Sequence, residues 1–307
     1  MARVITVCVP DESARQQIEP VPDGVRVLVW NGGDDVPEGI ADTEFLQPGY
    51  MGGGEAETLL AAMPQLRVIQ LLSAGVERWL PLKPDGVTLC NGKGVHGGGT
   101  AELAVVGVMA LVRRLPFFLG EQAARRWTEV TTDDLDGKRL LVLGAGDIGR
   151  RIAAALEVFG VQTTYVARTA RDGVHGVDEL RSLVPEADIL AVAMPLTDQT
   201  RGLVDAELLA ALPDGAIVAN IARGAIVDTD ALLAELQAER LHAVLDVTDP
   251  EPLPEDHPLW QAPNLIITPH VGGGTHGWER RAYGLVRAQI ERYVAGKPLE
   301  NVVGETY

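Results

Sequence analysis

Three polar residues in the last third of this 307-residue chain stand where packing alone would not put them: Arg223, Glu251 and His270. Arg223 lies in Asn220-Ile221-Ala222-Arg223-Gly224, just after the apolar run Ala216-Ile217-Val218. Glu251 opens a proline-rich turn, Glu251-Pro252-Leu253-Pro254, shortly after Asp246 ends the run Ala243-Val244-Leu245. His270 follows Leu265-Ile266-Ile267-Thr268-Pro269 and precedes three glycines. A planar guanidinium suits bidentate capture of a carboxylate and the carbonyl oxygen beside it. An imidazole passes protons near neutral pH, and a neighbouring carboxylate orients the ring and favours its charged form. Each has a plainer reading alone: a surface cation, a loop decoration, a core histidine. Together, at successive strand ends, they can hold an anion and move a proton.

The elements that must position them are legible as periodicity. Strands are expected at 4–9, 25–29, 67–72 and 87–90, with a helix at 56–63. The glycines at 97–99 lead into a long apolar segment, 101–119, interrupted by Arg113, Arg114 and Pro116. It reads as a buried interdomain or dimer-interface helix rather than a membrane span. From residue 138 onward, apolar strands and amphipathic helices alternate. Strands are expected at 139–143, 162–166, 189–193, 216–219, 242–245 and 265–268, and helices at 147–159, 177–183, 205–212 and 228–238. Continuous apolar strands between helices mean a parallel sheet covered on both faces. A last helix is expected over 275–295.

Gly144-Ala145-Gly146-Asp147-Ile148-Gly149 follows the strand Leu140-Leu141-Val142-Leu143 and opens a helix. That spacing supplies a tight turn, a close backbone approach to a pyrophosphate and close helix–strand packing, at a helix N-terminus that favours anions. An NAD site wants an acid about 18 residues past the last glycine, for the ribose 2′-hydroxyl. Ala167 stands there instead, followed by Arg168, Thr169 and Arg171. Cationic and hydroxyl donors suit a 2′-phosphate, so NADP(H) is expected over NAD(H).

The formal net charge of −17 disfavours nonspecific binding to nucleic acid or to an anionic membrane. No uninterrupted apolar run approaches ~20 residues, and the N-terminus turns into a strand too soon for a signal peptide. Cys8 and Cys90 lie in strand-like runs and read as buried, reduced thiols, with no metal site expected. These features point to a cytoplasmic protein.

The four strings 144–149, 220–224, 246–253 (Asp246-Val247-Thr248-Asp249-Pro250-Glu251-Pro252-Leu253) and Pro269-His270, with Ser73-Ala74-Gly75-Val76 earlier, resemble the D-isomer-specific 2-hydroxyacid dehydrogenase family in order and spacing. The resemblance implies an α/β protein of two Rossmann- or flavodoxin-like domains with parallel sheets and an active site in the interdomain cleft. Residues 1–96 with 276–307 would form the substrate domain and 97–275 the dinucleotide-binding domain. It implies that Arg223 binds the substrate carboxylate and polarises its carbonyl, that His270 is the general acid in reduction, and that Glu251 supports His270. Backbone amides of Ser73, Ala74, Gly75 and Val76 would cradle the carboxylate. Pro195, Ile221, Ala222 and Asp246 would line the nicotinamide and its ribose, and the helical region 99–126 would build a homodimer.

The expected function is NADPH-preferring reduction of a small 2-ketoacid, of the glyoxylate or hydroxypyruvate type, to a D-2-hydroxyacid. The alternative is an NAD(P)H-sensing, corepressor-like interaction protein on the same fold. Gly272 stands where the family often has Ala and could loosen the loop after His270; Thr248 replaces a frequent aromatic. His96 reads as a structural residue at the crossover between domains, or else a substrate neighbour. Trp79 and Trp278 could be rim or packing residues. No regulatory domain is expected after Tyr307. Substrate side-chain fit would depend on 46–53 and 72–79.

Overall fold

The structure, a computed structural model, describes residues 3–50 and 56–304. In chain order the elements are β1 (Ile5–Val9), α1 (Glu12–Ile18), β2 (Val25–Val29), β3 (Thr43–Leu46), α2 (Ala56–Ala62), β4 (Val68–Gln70), β5 (Thr88–Cys90), α3 (Gly97–Val112) and α4 (Leu115–Ala123). There follow β6 (Arg139–Leu143), α5 (Asp147–Glu157), β7 (Gln162–Ala167), β8 (His175–Gly176), α6 (Leu180–Leu183), β9 (Ile189–Val192), α7 (Ala206–Ala211), β10 (Ile217–Asn220), α8 (Thr229–Gln237), β11 (His242–Leu245), β12 (Leu265–Ile267) and α9 (Trp278–Val294). The chain divides into two compact units, Met1–His96 with Thr275–Tyr307, and Gly97–Gly274. Thr275 therefore falls with the first unit, one residue from the boundary expected.

The first unit carries a five-stranded sheet in the order β2-β1-β3-β4-β5, with every strand pair parallel. Successive residues of one strand feed opposite faces. Cys8, Leu46, Ile69 and Leu89 enter one core, and Val7, Val9, Phe45 and Val68 enter the other, where Ala282, Val286 and Ile290 of α9 cover them. The second unit carries seven parallel strands in the order β12-β11-β10-β9-β6-β7-β8. Its order reverses between β6 and β9, the crevice where doubly wound sheets place ligands. Leu141, Leu143, Leu190, Val192 and Val218 pack on one face, while Leu140, Val142, Ile189, Ala191 and Ile217 pack on the other. Each fully buried Leu or Ile contributes roughly 1.5–3 kcal/mol, which is why the middles of β6, β9 and β10 are apolar on both faces.

The expected long apolar segment is two helices bent by 69°. Arg114, at φ +52°, ends α3 in the left-handed region, and Pro116 sits in the first turn of α4, where its missing N–H costs nothing. No single helix among the described residues is long and apolar enough to cross a membrane. The C-terminal helix begins at Trp278 rather than at 275, after a turn in which the Trp278 N–H donates to the Thr275 carbonyl at 3.0 Å. α7 and α8 start on aspartate caps: the Asp205 and Asp228 carboxylates accept from the N–H groups of Leu208 and Ala231. Cys8 and Cys90 are free and buried, and burial pushes their thiols up to about 12 and about 11. No cluster of His, Cys, Asp and Glu that could hold a metal occurs among the described residues.

Candidate active site

Arg223, Glu251 and His270 follow β10, β11 and β12, three adjacent strands of the seven-stranded sheet, at their carboxyl ends. His270 Nδ1 lies 2.6 Å from Glu251 Oε1. A carboxylate only accepts, so Nδ1 carries the proton of this bond and Nε2 is the ring edge left to face a reactant. The two side chains are 48% and 40% exposed. An ion pair so wetted adds at most about 1 kcal/mol to stability; what it sets is the direction of the ring. The His270 backbone has φ +53°, a region uncommon for residues other than glycine. Its N–H donates to the carbonyls of Asp246 at 2.8 Å and Thr268 at 3.0 Å, which holds that conformation.

Asp246 organises this turn. It is 2% exposed. Its Oδ1 accepts from the Thr268 hydroxyl at 2.6 Å and from the Val271 N–H at 2.9 Å, and its Oδ2 accepts from the Gly272 N–H at 2.9 Å. Three donors make a buried carboxylate tolerable without a cation. The side chain expected to line the nicotinamide ribose thus spends both oxygens on the loop that carries His270. Gly272 is not a point of looseness either. A Cβ there would come 2.8 Å from Asp246 Oδ2 and 3.3 Å from Thr100 Cα, so glycine is what lets the loop close on the carboxylate.

Asn220, which sequence reasoning passed over as a site residue, does for Arg223 what Asp246 does for His270. It is 1% exposed, and its carboxamide bonds the backbone of both Ala222 and Arg223. The Arg223 guanidinium in turn donates through Nη1 to the Ala222 carbonyl at 2.7 Å. The two turns are joined: the Asp246 N–H donates to the Asn220 carbonyl at 3.0 Å. Thr248 Oγ1 closes on the Pro250 carbonyl at 2.8 Å, the local task of the residue that replaces an aromatic.

The glycines of the phosphate loop divide their work as expected. A Cβ on Gly144 (φ +112°) would meet the Ala193 carbonyl oxygen at 2.4 Å, and one on Gly149 would meet the Gly144 carbonyl oxygen at 2.2 Å. Gly146, by contrast, faces nothing within 4 Å. The two outer glycines close the β6–α5 turn and the middle one leaves backbone open to an anion at the start of α5, so the residues fit a dinucleotide pyrophosphate. Asp147 turns one carboxylate oxygen to Arg151 Nε at 2.9 Å, and Ile148 packs on the core. Arg168, Thr169 and Arg171 sit exposed on the turn after β7, closed by paired backbone bonds between Arg171 and Val174. Ile221 is buried and Ala222 half-buried after β10. Pro195 lies exposed beyond β9, its carbonyl accepting from Thr200 Oγ1 at 2.8 Å.

In the first unit, the loop Ser73, Ala74, Gly75, Val76 follows β4. All four of its carbonyls are taken up internally: by Gly92 N–H (2.6 Å), Asn91 Nδ2 (3.1 Å), Ser73 Oγ (2.8 Å) and Trp79 N–H (2.9 Å) respectively. Among the described residues the Gly75 and Val76 N–H groups meet no protein acceptor. An anion fits amides presented in this way. Asn91 is the second organiser missed from sequence, where it reads only as a polar residue after β5. Nearby, Tyr50, His96 and Trp278 bring their ring centroids within 4.7–5.5 Å of one another. His96 Nε2 lies 3.1 Å from the Leu72 carbonyl oxygen, and Trp79 is buried in the core. Positions 51–53, expected to shape substrate fit, lie outside the described residues.

Residues 105–272 match the family described as D-isomer specific 2-hydroxyacid dehydrogenase, NAD binding domain. The chain is 33% identical over 275 residues to glyoxylate/hydroxypyruvate reductase B of Erwinia tasmaniensis, covering 83% of this chain and 84% of that protein. It is 32% identical over 270 residues to the glyoxylate reductase/hydroxypyruvate reductase of Mus musculus, covering 82% of each. Among solved structures, a D-isomer specific 2-hydroxyacid dehydrogenase from Xanthobacter autotrophicus Py2, in complex with NADPH and MES, superposes with a TM-score of 0.84 at 30% identity, over 99% of this chain and 98% of that one. With the family match spanning more than half its length and relatives of this closeness over four-fifths of it, the chain belongs to the D-isomer specific 2-hydroxyacid dehydrogenases, which are NAD(P)-dependent oxidoreductases.

Proposed function

We propose that this enzyme is an NADPH-preferring reductase of small 2-ketoacids of the glyoxylate or hydroxypyruvate type, forming D-2-hydroxyacids. The observation that carries the reading is the 2.6 Å His270–Glu251 bond on the strand end next but one to Arg223. A bound NADPH supplies the hydride. His270, its Nδ1 held by Glu251, delivers a proton from Nε2 to the carbonyl oxygen as that oxygen gains charge. Arg223 binds the carboxylate and polarises the carbonyl; the Gly75 and Val76 amides are of a kind that takes an anion without a side-chain cation. The names of the reductase relatives support this substrate class.

The coenzyme preference rests on Arg168, Thr169 and Arg171, and is supported by the NADPH in the Xanthobacter relative. Charge-assisted hydrogen bonds to phosphate stabilise by about 1.5–3 kcal/mol. Arg168→Ala is therefore expected to raise the KM for NADPH roughly 10–100-fold and to leave that for NADH nearly unchanged. Steady-state kinetics with both coenzymes against glyoxylate, hydroxypyruvate, pyruvate and bulkier 2-ketoacids tests the substrate class and the preference together. Equal or better use of NADH by the unaltered enzyme would refute the preference. Tight NAD(P)H binding with no turnover of any 2-ketoacid would replace catalysis by a sensing role.

We further propose a homodimer through the 99–126 region. Val106, Leu115, Leu119 and the adjoining Trp127 are 62%, 48%, 64% and 94% exposed, large apolar side chains that an interface would cover. Glu121 fixes the turn before it by bonds to Arg126 and Thr128. Leu119→Asp is expected to convert a dimer to a monomer in light scattering coupled to size exclusion; a monomeric unaltered protein would end the proposal.

A further inference from the structure

Asn220 ends β10 with its side chain sealed from solvent, three residues before the guanidinium on which the proposed substrate binding depends. Its Oδ1 accepts from the Ala222 N–H at 3.1 Å, and its Nδ2 donates to the Arg223 carbonyl at 2.9 Å. Only one orientation of the amide satisfies both, since the first partner can only donate and the second only accept. Asn220 therefore holds the 221–222 peptide by its N–H and the 223–224 peptide by its carbonyl, and the carbonyl of the 222–223 peptide between them receives Arg223 Nη1 at 2.7 Å. A single carboxamide thus clamps the two peptide groups that flank the 222–223 peptide, and the carbonyl of that enclosed peptide holds the guanidinium. An aspartate of the same size could accept from Ala222 but would oppose the Arg223 carbonyl with a second acceptor.

We infer that Asn220 is a positioning residue for substrate recognition: by bonding the Ala222 N–H and the Arg223 carbonyl, on either side of the 222–223 peptide, it sets where the guanidinium meets a 2-ketoacid carboxylate. The inference rests on the proposed role of Arg223 and adds the group that makes the role geometrically definite. A misplacement of the order of 1 Å in a substrate-positioning group costs about 10²-fold in rate, so loss of the clamp is visible in kinetics well before it abolishes folding.

The test is a double-mutant cycle in the full-length enzyme, read as kcat/KM for glyoxylate, as the Kd of oxalate for the NADPH-loaded protein, and as the Kd of NADPH alone. Asn220→Ala is expected to lower kcat/KM and weaken oxalate about 10–100-fold while the NADPH Kd stays within about 3-fold. Asn220→Asp, which keeps the size and the acceptor but not the donor, is expected to lose at least as much. In an Arg223→Ala background the Asn220→Ala change should add less than about 3-fold, because its effect passes through the missing guanidinium. The inference is overturned if Asn220→Ala keeps its full factor in that background, if Asn220→Asp retains the parent KM, or if NADPH affinity falls in step with oxalate affinity. Failure of the underlying reading looks different: Arg223→Ala alone would then leave kcat/KM for glyoxylate unchanged.

Discussion

His270→Gln is expected to lower turnover of the preferred 2-ketoacid about 10²–10⁴-fold while the Kd for NADPH stays close to that of the parent enzyme. Glutamine can occupy the volume and accept or donate a hydrogen bond, but it has no proton to release near neutral pH. Coenzyme affinity should be spared because the phosphate loop lies at the β6–α5 turn, four strands away in the order β12-β11-β10-β9-β6. The loop backbone at 270 is held through main-chain bonds to Asp246 and Thr268, which the substitution leaves in place. Pre-steady-state measurement of NADPH oxidation, with fluorescence titration of the coenzyme, separates the two quantities. A collapse of coenzyme binding in parallel with turnover would show that position 270 supports the nucleotide and not the proton transfer.

Asp246→Asn is expected to damage both stability and rate, although the side chain touches the proposed proton donor only through the loop. The carboxylate accepts from Thr268, Val271 and Gly272. A carboxamide can replace only one of its two oxygens. Whichever way it turns, its NH2 group opposes a backbone N–H, at Val271 or at Gly272. A buried donor left without an acceptor costs about 1–3 kcal/mol, so the urea midpoint should fall measurably. The His270 turn is held at positive φ by the same loop, and its release should cost on the order of 10²-fold in turnover. Unchanged stability together with unchanged kcat would remove Asp246 from the organisation of the site.

Much of this arrangement is readable from residue types and spacing. The alternation of apolar strands with helices from 138 onward marks the seven-stranded sheet, and Gly144, Gly146 and Gly149 mark its coenzyme turn, because the period of a buried parallel strand and the steric needs of that turn leave few other solutions. The candidate site side chains stand out for a related reason: polar groups at the ends of apolar strands have no packing role to explain them. What escaped sequence reasoning has a common physical character. α1 offers only Ala14 and Ile18 to the core, too short a stripe to register as a period. β3 is a buried central strand of four residues that includes Glu44, whose carboxylate pairs with Arg3 and accepts from the Tyr293 hydroxyl at 2.7 Å. β8 has two residues. Asn91 and Asn220 look like ordinary polar punctuation, since what distinguishes them is the set of peptide groups they bridge, and that set exists only after folding. Gly272 reads differently after folding: a run of glycines suggests slack, yet a Cβ on the first of them would come 2.8 Å from Asp246 Oδ2.

The bond between the Asp246 N–H and the Asn220 carbonyl ties the two organising residues across neighbouring parallel strands. The offset between the loop carrying Arg223 and the loops carrying Glu251 and His270 is thereby tied to the pitch of the sheet itself, about 4.8 Å per strand, and not to any loop length. Insertions or drift in the outer loops leave that yardstick untouched. Loop replacement around this sheet edge can then change what surrounds the proposed 2-ketoacid while the spacing of Arg223 and His270 stays fixed by the strands.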